Sequence, residues 1–419
     1  MKIVYLIHQF YPKWITGTEK LLLNLSTTLQ KQGHKVKVIT YSRDIISNAI
    51  DLYNSKKEGN IMFEEYIYQG IPVLSFGYQV QPDDIHFAVT NKDLSKFTLN
   101  ILSKERPDII HVTHSMRTAE FIRTASSLKI PYIFTLTDFW LICPKTILVD
   151  SANNLCYGPK DGEACKKKCP ELPKNMTSER LQLVKELLIN ANAVFAPTRI
   201  MKELFEGEIK ELKLKTINFG LAPYSHTLFK DKQYKRGDTI KLFYGGTWQI
   251  HKGVHILLDA FRKIKSDRVT LDIYGYGYDE KYNALIKKSA QKDPRIKVKG
   301  IFSETEMGTI FSDVDVSVMP SIWWENAPYM MTEALLRCVP VISSDIGGLT
   351  ENVKDNFNGF TFKVGDSEHL KNIIERIIDN PPILNELRNN LKEHLFPTIE
   401  QEAFSYERAY KSIVKGNNY

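Results

Sequence analysis

Short runs of β-branched and apolar residues alternate with amphipathic segments along most of the chain, and this alternation constrains the fold more than any other feature. Lys2–His8 predicts a buried strand, and Gly17–Gln32 predicts a helix with leucines on one face. Gly33 is typical of a residue that follows a helix, and Val36–Thr40 predicts the next strand. Alternation of this kind indicates a parallel sheet covered by helices on both faces.

The same alternation begins again in the second half of the chain. Strands are predicted at Ile240–Tyr244, Thr270–Tyr274, Val314–Met319 and Pro340–Ser343, with a helix at Val254–Ile264. At 419 residues the chain is long enough for two domains. We therefore predict an α/β fold of two doubly wound, Rossmann-like parallel-sheet domains that face a central cleft, because such sheets bind ligands at the carboxyl ends of their strands.

Breaks in this pattern set the predicted domain boundaries. An N-terminal domain is predicted at 1–225, with a cysteine-containing insertion at about 143–173, and a C-terminal domain at 226–400. Residues 401–419 are predicted to form a helix that packs back on the N-terminal domain.

Charge and apolar content limit the classes of partner. The net charge is +7, and almost all of the surplus lies in residues 1–220. A basic half can attract an anionic membrane, although a solvated surface without a partner explains it equally well. The chain has no nucleic-acid motif, so no nucleic-acid partner is predicted. Because no apolar run approaches the length of a membrane span, we predict a cytoplasmic protein that acts at the inner face of the cell membrane.

Two glutamates stand beside the carboxyl end of one predicted strand. Glu325 lies in a loop after Met319, together with Asn326, and Glu333 lies eight residues further on within a predicted helix. Carboxylates placed there suit the hydroxyl groups of a ribose and a hexose. The structural alternative gives Glu325 to a helix N-terminus and Glu333 to a surface ion pair.

Three loops rich in glycine follow other predicted strands and offer places where a backbone approaches a phosphate closely. One carries a glycine pair, the second combines glycine with a lysine that can neutralise a departing diphosphate, and the third opens the first helix. Each of them can also be a plain tight turn. The residues concerned are Gly347 and Gly348, then Gly246, Thr247 and Lys252, and finally Gly17.

Taken in order, these motifs resemble the retaining nucleotide-sugar glycosyltransferases of family four, which have the GT-B fold, and the resemblance covers nearly the whole chain. The matching segments are Phe10–Pro12, Gly17–Glu19, Gly33–Val36, Pro107–His111, Gly246–Gly253, Glu325 with Glu333, Pro340–Ile342, Gly347–Glu351 and Asn358–Gly359.

The resemblance implies a UDP- or GDP-linked sugar donor and a glycan or lipid-linked acceptor of cell-surface polysaccharide or lipopolysaccharide synthesis. It implies that Lys252 contacts the donor diphosphate, Glu333 the ribose and Glu325 the transferred sugar, with the Gly17 loop facing the diphosphate. The N-terminal domain would then be the acceptor side. No metal or other cofactor is expected in catalysis, because cationic side chains and helix N-termini stabilise the leaving group.

Two positions depart from the family pattern. Thr247 stands where an arginine is common, and Thr137 stands where a histidine usually precedes Asp138. Asp138 is predicted to be a catalytic residue that binds the acceptor, with capping of the next turn as the alternative. Nearby, His111 and His114 are interpreted as structural, since a lone strand histidine is more often structural than catalytic.

Four cysteines fall close together in the insertion. Clustered cysteines in a cytoplasmic chain favour a structural zinc site over disulfides, although the spacing lacks paired C-x2-C turns and unreactive free thiols are the alternative. The four residues are Cys143, Cys156, Cys165 and Cys169.

Other functions remain open at this point. A nucleotide-sugar epimerase on a similar fold would turn over the donor without an acceptor, and a catalytically silent partner of another transferase would bind without turnover. A NAD-dependent oxidoreductase is disfavoured, because the first strand is followed by His8–Pro12 and not by G-x-G-x-x-G.

Overall fold

The computed structural model describes residues 1–43, 56–173, 175–220, 232–394 and 396–417. They divide by contact into two compact units. The first comprises the described residues of Met1–Ala152, Cys156–Ala222 and Pro397–Tyr419, and the second comprises those of Asn153–Leu155 and Pro223–Phe396.

The first unit is built on one sheet, whose described strands are β1 (Lys2–Ile7), β2 (Lys35–Tyr41), β3 (Lys56–Glu58), β4 (Ile61–Tyr68), β5 (Ile71–Tyr78), β6 (Ile109–Val112), β7 (Tyr132–Thr135), β8 (Ala193–Ala196) and β9 (Lys215–Thr216). Their order is β3-β4-β5-β2-β1-β6-β7-β8-β9. The strand order reverses between β1 and β6, and crevices at such points are where doubly wound sheets bind ligands.

One edge of this sheet departs from the predicted parallel arrangement. β4 pairs antiparallel with both β3 and β5, whereas the strands from β5 to β9 pair in parallel. The reason is local, because Gln69 and Gly70 both have positive φ angles, of 46° and 80°, and close a two-residue hairpin.

The helices of the first unit before residue 220 are α1 (Gly17–Lys31), α2 (Lys92–Glu105), α3 (Ala119–Ser127), α4 (Glu163–Lys168), α5 (Met176–Ile189) and α6 (Arg199–Glu208). In α1, leucines three and four residues apart, Leu22, Leu25 and Leu29, face the core. Thr16 caps the helix in a capping box with Glu19.

The second unit has a six-stranded parallel sheet over its described residues. The strands are β10 (Ile240–Gly245), β11 (Val269–Tyr274), β12 (Ile296–Gly300), β13 (Val316–Met319), β14 (Val341–Ser344) and β15 (Gly359–Phe362). The helices are α7 (Val254–Lys263), α8 (Glu280–Ala290), α9 (Glu304–Asp313), α10 (Tyr329–Leu336), α11 (Gly348–Asn352), α12 (Ser367–Asp379) and α13 (Ile383–Glu393). The order β12-β11-β10-β13-β14-β15 reverses between β10 and β13.

A last helix, α14 (Ile399–Val414), belongs to the first unit although it follows the second in sequence. Its Tyr410 hydroxyl lies 3.0 Å from that of Tyr5 on β1 and 2.6 Å from Nδ1 of His111 on β6. Nε2 of His111 contacts the Thr135 hydroxyl, which in turn contacts Tyr406, each at 2.7 Å. His111 is therefore structural, as the sequence indicates, because its ring joins α14 to the sheet.

Within the part of the chain that the structure describes, no helix combines the length and apolar character needed to cross a bilayer.

Candidate functional site

In the second unit, the loops that follow β10 and β13 bring the predicted Lys252 and Glu325 into direct contact. The Nζ of Lys252 lies 2.8 Å from Oε1 of Glu325. Ser321 donates its hydroxyl to the same oxygen at 2.7 Å, and the Lys252 ammonium also lies over the Trp323 ring, 4.5 Å from its centre. A cation and a carboxylate thus meet at the point where the strand order reverses.

The surroundings of Glu325 favour the ionised form of its carboxyl group. Burial of Glu325 would raise the pKa of its carboxyl, but Lys252 and the hydrogen bonds outweigh burial, and the net effect is a lowered pKa. The pKa of the neighbouring His251 is also lowered, to about 4, by burial and then by the charge of Lys252. For an imidazole, unlike a carboxyl group, a lowered pKa favours the neutral form. His251 is therefore neutral at pH 7 and adds no positive charge to that of Lys252.

Glycines allow these loops to pack against one another. Gly253 has a φ of +71°, and a Cβ there would lie 1.8 Å from the Pro320 carbonyl oxygen. Gly347 has a φ of +59°, with the Glu325 carbonyl oxygen 2.5 Å from an added Cβ. The Gly348 amide donates to that same oxygen at 2.7 Å. The glycine pair therefore positions the Glu325 loop, and the Gly348 amide is engaged within the protein.

The other predicted donor-binding residues lie in the same loops. Gly246 follows β10 with a φ of +154°, and the Thr247 carbonyl accepts a hydrogen bond from the Tyr244 hydroxyl at 3.0 Å. Asn326, beside Glu325, is buried. These residues stand in the loops predicted for them, and their contact with a donor stays a prediction.

Glu333 lies within α10, as predicted, and is almost wholly buried. Its carboxylate forms an ion pair with Arg337, one turn further along the helix, and Arg337 also donates to the Glu333 carbonyl. The structural alternative of an ion pair is thus present, but it is a buried pair. The pairing fixes the direction of the carboxylate, and its contact with a ribose stays a prediction.

In the first unit, the predicted Asp138 lies just after β7 and is paired with His114, which lies just after β6. Nε2 of His114 is 2.8 Å from Oδ2 of Asp138, and the other carboxylate oxygen accepts the Trp140 amide at 2.8 Å. Asp138 thus caps the following turn with one oxygen and binds an imidazole with the other. His114 is therefore not a lone histidine of the core.

The first helix begins beside this pair. Gly17 is the first residue of α1, and the helix places Glu19 with its Oε1 3.9 Å from Nε2 of His8. The rings of His8 and His114 lie 3.9 Å apart between centres. Residues that follow β1, β6 and β7 therefore meet at the carboxyl edge of the first sheet.

The four cysteines of the insertion are all buried, and none of them is in a disulfide. Burial raises the pKa of Cys143 to about 11 and that of Cys165 to about 12, and each of these thiols feels Cys156 and Cys169 electrostatically. Over the described residues, no group of three or more His, Cys, Asp or Glu side chains is arranged to hold a metal ion. The zinc site stays a prediction.

The sequence alone predicts no role for Ser321, Arg337 or Trp323, and it indicates a structural role for His114. Ser321 and Trp323 stand beside Glu325 in sequence, and Arg337 stands four residues after Glu333, so spacing alone could have suggested these three. His114 and Asp138 are 24 residues apart, and only the adjacency of β6 and β7 joins them.

Comparison with known families agrees with this arrangement. Residues 15–220 match the family described as "Glycosyltransferase Family 4", and residues 226–394 match "Glycosyl transferases group 1". The chain belongs to the family-four glycosyltransferases. Each unit of this glycosyltransferase contains most of one matched range, and α14 lies outside both ranges.

Curated relatives of this glycosyltransferase include the UDP-Gal:alpha-D-GlcNAc-diphosphoundecaprenol alpha-1,3-galactosyltransferase of Escherichia coli. It is 25% identical over 301 residues, which are 70% of this chain and 72% of the relative. The amylovoran biosynthesis glycosyltransferase AmsK of Erwinia amylovora is 25% identical over 30% of this chain and 33% of the relative. Two other relatives, from Methanocaldococcus jannaschii and Pseudomonas syringae, are matched over only 50% and 34% of their lengths.

Solved structures show that the glycosyltransferase has the GT-B fold. Anabaena HepE in complex with UDP and glucose has a TM-score of 0.69 and 16% identity, over 98% of this chain and all of HepE. The sucrose-phosphate synthase of Thermosynechococcus elongatus has a TM-score of 0.71 and 16% identity, over 99% of this chain and all of the synthase.

Proposed function

We propose that this glycosyltransferase transfers a sugar from a UDP-linked donor, with retention of anomeric configuration, onto a glycan or lipid-linked acceptor in cell-surface polysaccharide assembly. The observation that carries the proposal is the contact of Lys252 with Glu325 where the second sheet reverses its strand order. Support for UDP comes from the names of the Escherichia coli relative and of the HepE complex, and support for the pathway comes from the name of the Erwinia relative.

The proposed reaction breaks the bond between the anomeric carbon and the diphosphate oxygen, and the acceptor oxygen bonds to that carbon on the same face. The acceptor proton leaves with the diphosphate, so the products are UDP and the glycoside. Negative charge develops on the diphosphate as the bond breaks, and Lys252 is the side chain assigned to stabilise it.

Donor binding would then exchange the partner of Lys252. In the structure, the Lys252 ammonium is held by Glu325 at 2.8 Å and by the face of Trp323. An incoming diphosphate competes with Glu325 for the ammonium, and a released Glu325 carboxylate can accept hydrogen bonds from sugar hydroxyls. Ser321 keeps the carboxylate in place during this exchange, because its hydrogen bond at 2.7 Å does not involve Lys252.

Within the first unit, we assign Asp138 to the acceptor hydroxyl and the Gly17 loop to the donor diphosphate. Asp138 is the partly exposed member of its pair, with 28% of its side chain accessible, against 3% for His114. A carboxylate with both oxygens fixed and one side open suits a hydroxyl donor.

A thermal-shift panel of UDP, GDP and their common sugar conjugates tests the donor assignment. A ligand that binds only the folded state raises the apparent melting temperature. We expect UDP and one UDP-sugar to raise it, GDP to leave it unchanged, and Glu333→Ala to lose the effect. If no nucleotide shifts the wild type, a silent partner of another transferase becomes the favoured function over the enzyme.

The stereochemical outcome and the requirement for an acceptor need separate measurements. Proton NMR of the product from an α-linked donor is expected to show an α-linked sugar, and a β-linked product would contradict retention. Conversion of the donor sugar to its epimer in the absence of any acceptor would replace transferase by epimerase.

Membrane contact is a further part of the proposal, supported by the positive charge of residues 1–220. We expect co-sedimentation with vesicles that contain phosphatidylglycerol and none with neutral phosphatidylcholine vesicles, with the difference disappearing at high salt. Equal binding to both kinds of vesicle would contradict an electrostatic contact.

The predicted structural zinc is also proposed, on the grounds that four buried thiols cluster in one insertion and that Cys143 accepts backbone hydrogen bonds from Lys145 and Leu148. Binding requires these side chains to turn toward a common centre. We expect elemental analysis to find about one zinc per chain, lost in Cys165→Ser. Titration of all five thiols of the chain in an unfolded sample, with no zinc released, would contradict it.

A further inference from the structure

The carboxyl edge of the first sheet holds a chain of titratable side chains that begins in α1 and ends at Asp138. Glu19, His8, His114 and Asp138 follow one another, with His8 at the end of β1, His114 after β6 and Asp138 after β7. β1, β6 and β7 are neighbours in the sheet, and its strand order reverses between β1 and β6. The chain therefore lies where a doubly wound sheet binds its ligand.

The hydrogen bonds of His114 fix its tautomer. Its Nδ1 accepts the backbone amide of Met116 at 3.2 Å, so Nδ1 carries no proton. The ring proton therefore lies on Nε2, which donates to Asp138 at 2.8 Å. The imidazole is held as a donor aimed at one carboxylate oxygen.

Thr137 cannot perform this task. Its hydroxyl donates to the Thr113 carbonyl at 2.8 Å and so bridges the ends of β6 and β7. The imidazole that family four commonly places at this position is absent from the residue before Asp138, yet one is present 24 residues earlier, on the neighbouring strand end.

We propose that His114 is the positioning residue for Asp138, and that Asp138, so held, accepts a hydrogen bond from the hydroxyl that attacks the donor sugar. The inference rests on the proposed transferase function and adds to it the source of the imidazole. His114 acts only through Asp138, because 3% of its side chain is accessible.

The neighbours of the pair keep the imidazole in this role. The His8 ring lies against the His114 ring at a tilt of 35°. In the described part of the chain, Nδ1 of His8 and Oε1 of the buried Glu19 have no hydrogen-bond partner. Arg117 reaches the His8 carbonyl at 3.5 Å, and Trp140 packs 6.0 Å from the His114 ring centre. None of these groups competes for Nε2 of His114, which leaves it to Asp138.

The first test uses the UDP-sugar that gives the largest thermal shift. Its turnover is measured as the release of UDP when water acts as the acceptor. We expect His114→Leu to lower kcat about tenfold to a hundredfold, with the Kd for UDP unchanged. His114→Gln should recover most of the rate, because its amide can donate to Asp138. His369→Leu, at an exposed histidine of the second unit, is the matched control and should match wild type.

A double-mutant cycle separates positioning from a general structural effect. If His114 acts through Asp138, the double variant with Asp138→Asn turns over no more slowly than Asp138→Asn alone. Fully additive losses, or a His114→Leu variant with the kcat of wild type, would overturn the proposal.

The tautomer of His114 can be measured without turnover. A failure of the proposed transferase function can therefore be distinguished from a failure of the positioning role of His114. Long-range proton–nitrogen NMR of the wild-type chain with labelled histidine is expected to show His114 protonated at Nε2 only. A ring protonated at Nδ1 would overturn the proposal even in an active transferase. If Nε2 is protonated but no UDP-sugar is turned over, the proposed function has failed and the attack step of this inference fails with it.

Discussion

The two units place chemically different groups at the same topological position. In both sheets the strand order reverses beside the first strand of the unit, and polar residues follow the strands on each side of the reversal. In the second unit these residues are a lysine and a glutamate that neutralise each other, Lys252 and Glu325. In the first unit they are imidazoles in series with one partly exposed carboxylate, that of Asp138.

The difference indicates that the two units suit different ligand groups, although both are built on a doubly wound sheet. A lysine paired with a carboxylate can exchange its partner for a diphosphate, so the second unit suits an anion. The neutral imidazole of His8 brings no charge, and a carboxylate that accepts hydrogen bonds, such as that of Asp138, suits an uncharged hydroxyl. Burial, followed by the nearby His114 and Arg117, lowers the pKa of His8 well below its ordinary value, which keeps that ring neutral.

Of the changes considered for the two units, removal of the Lys252 cation from the second unit is expected to have the largest effect. We expect Lys252→Ala to lower kcat about a hundredfold to a thousandfold, because the leaving diphosphate loses its charge partner in a buried site. The Kd for UDP, measured by calorimetry, should rise far less.

Lys263→Ala is the matched control, since that lysine lies on the following helix and its ion pairs with Asp259 and Glu368 are on the surface. A Lys252→Ala variant that turns over like Lys263→Ala would remove the lysine from the reaction.

One carboxyl group in the core of the first unit, that of Glu402, is expected to be uncharged, and this can be tested. Burial raises the pKa of Glu402 on α14 to about 8, although the Gly220 amide donates to it at 2.6 Å. The folded chain thus keeps a proton that the unfolded chain releases above pH 4.5, and the free energy of unfolding falls as pH rises toward 8. Glu402→Gln should remove this fall, and the variant should gain about 2–4 kcal/mol over wild type by pH 8.

Glu407→Gln, on the same helix, gives a control of opposite sign. Lys411 and His34 lower the pKa of Glu407, so its contribution to stability is present above its unfolded pKa and is lost as pH falls through the folded value. Urea unfolding at several pH values measures both variants. A Glu402→Gln variant whose stability runs parallel to wild type from pH 5 to 8 would show that Glu402 is ionised in the folded chain.

The smallest of these effects is expected at Glu333. Glu333→Gln should weaken UDP binding about tenfold, because a charged acceptor for the ribose hydroxyls becomes neutral, while kcat at saturating donor changes little. Glu368→Gln, at an exposed glutamate of α12, should bind UDP like wild type. An unchanged Kd in both variants would leave Glu333 with only its ion pair to Arg337.

Local sequence patterns predicted the elements whose cause is local. The predicted strand Lys2–His8 and helix Gly17–Gln32 differ by one residue each from β1 and α1, since the apolar periodicity lies within those segments and the cap of the helix is the residue directly before it. The antiparallel edge was missed, although the turn at Gln69 and Gly70 is a short-range hairpin signal.

The sequence predicted single residues of the site but not their contacts, and this has a physical reason. Glu325 and Lys252 were each predicted from their loops, but their direct contact depends on β10 and β13 being neighbours across the strand-order reversal. The same holds for His114 and Asp138, which no spacing rule connects. A sequence read one segment at a time identifies candidate groups, whereas the pairs that set their charge and direction come from the sheet.

The position of α14 has a consequence for how the chain is made. Ile399, Ala403, Tyr406 and Tyr410 of this helix are part of the core around β1 and α1, so the first unit is completed by residues that leave the ribosome after the second unit. During synthesis, α14 cannot cover the apolar side of β1 and α1 until the whole second unit has emerged. The order of translation and the order of folding therefore differ, and a nonsense mutation near residue 396 would damage the amino-terminal half of the protein.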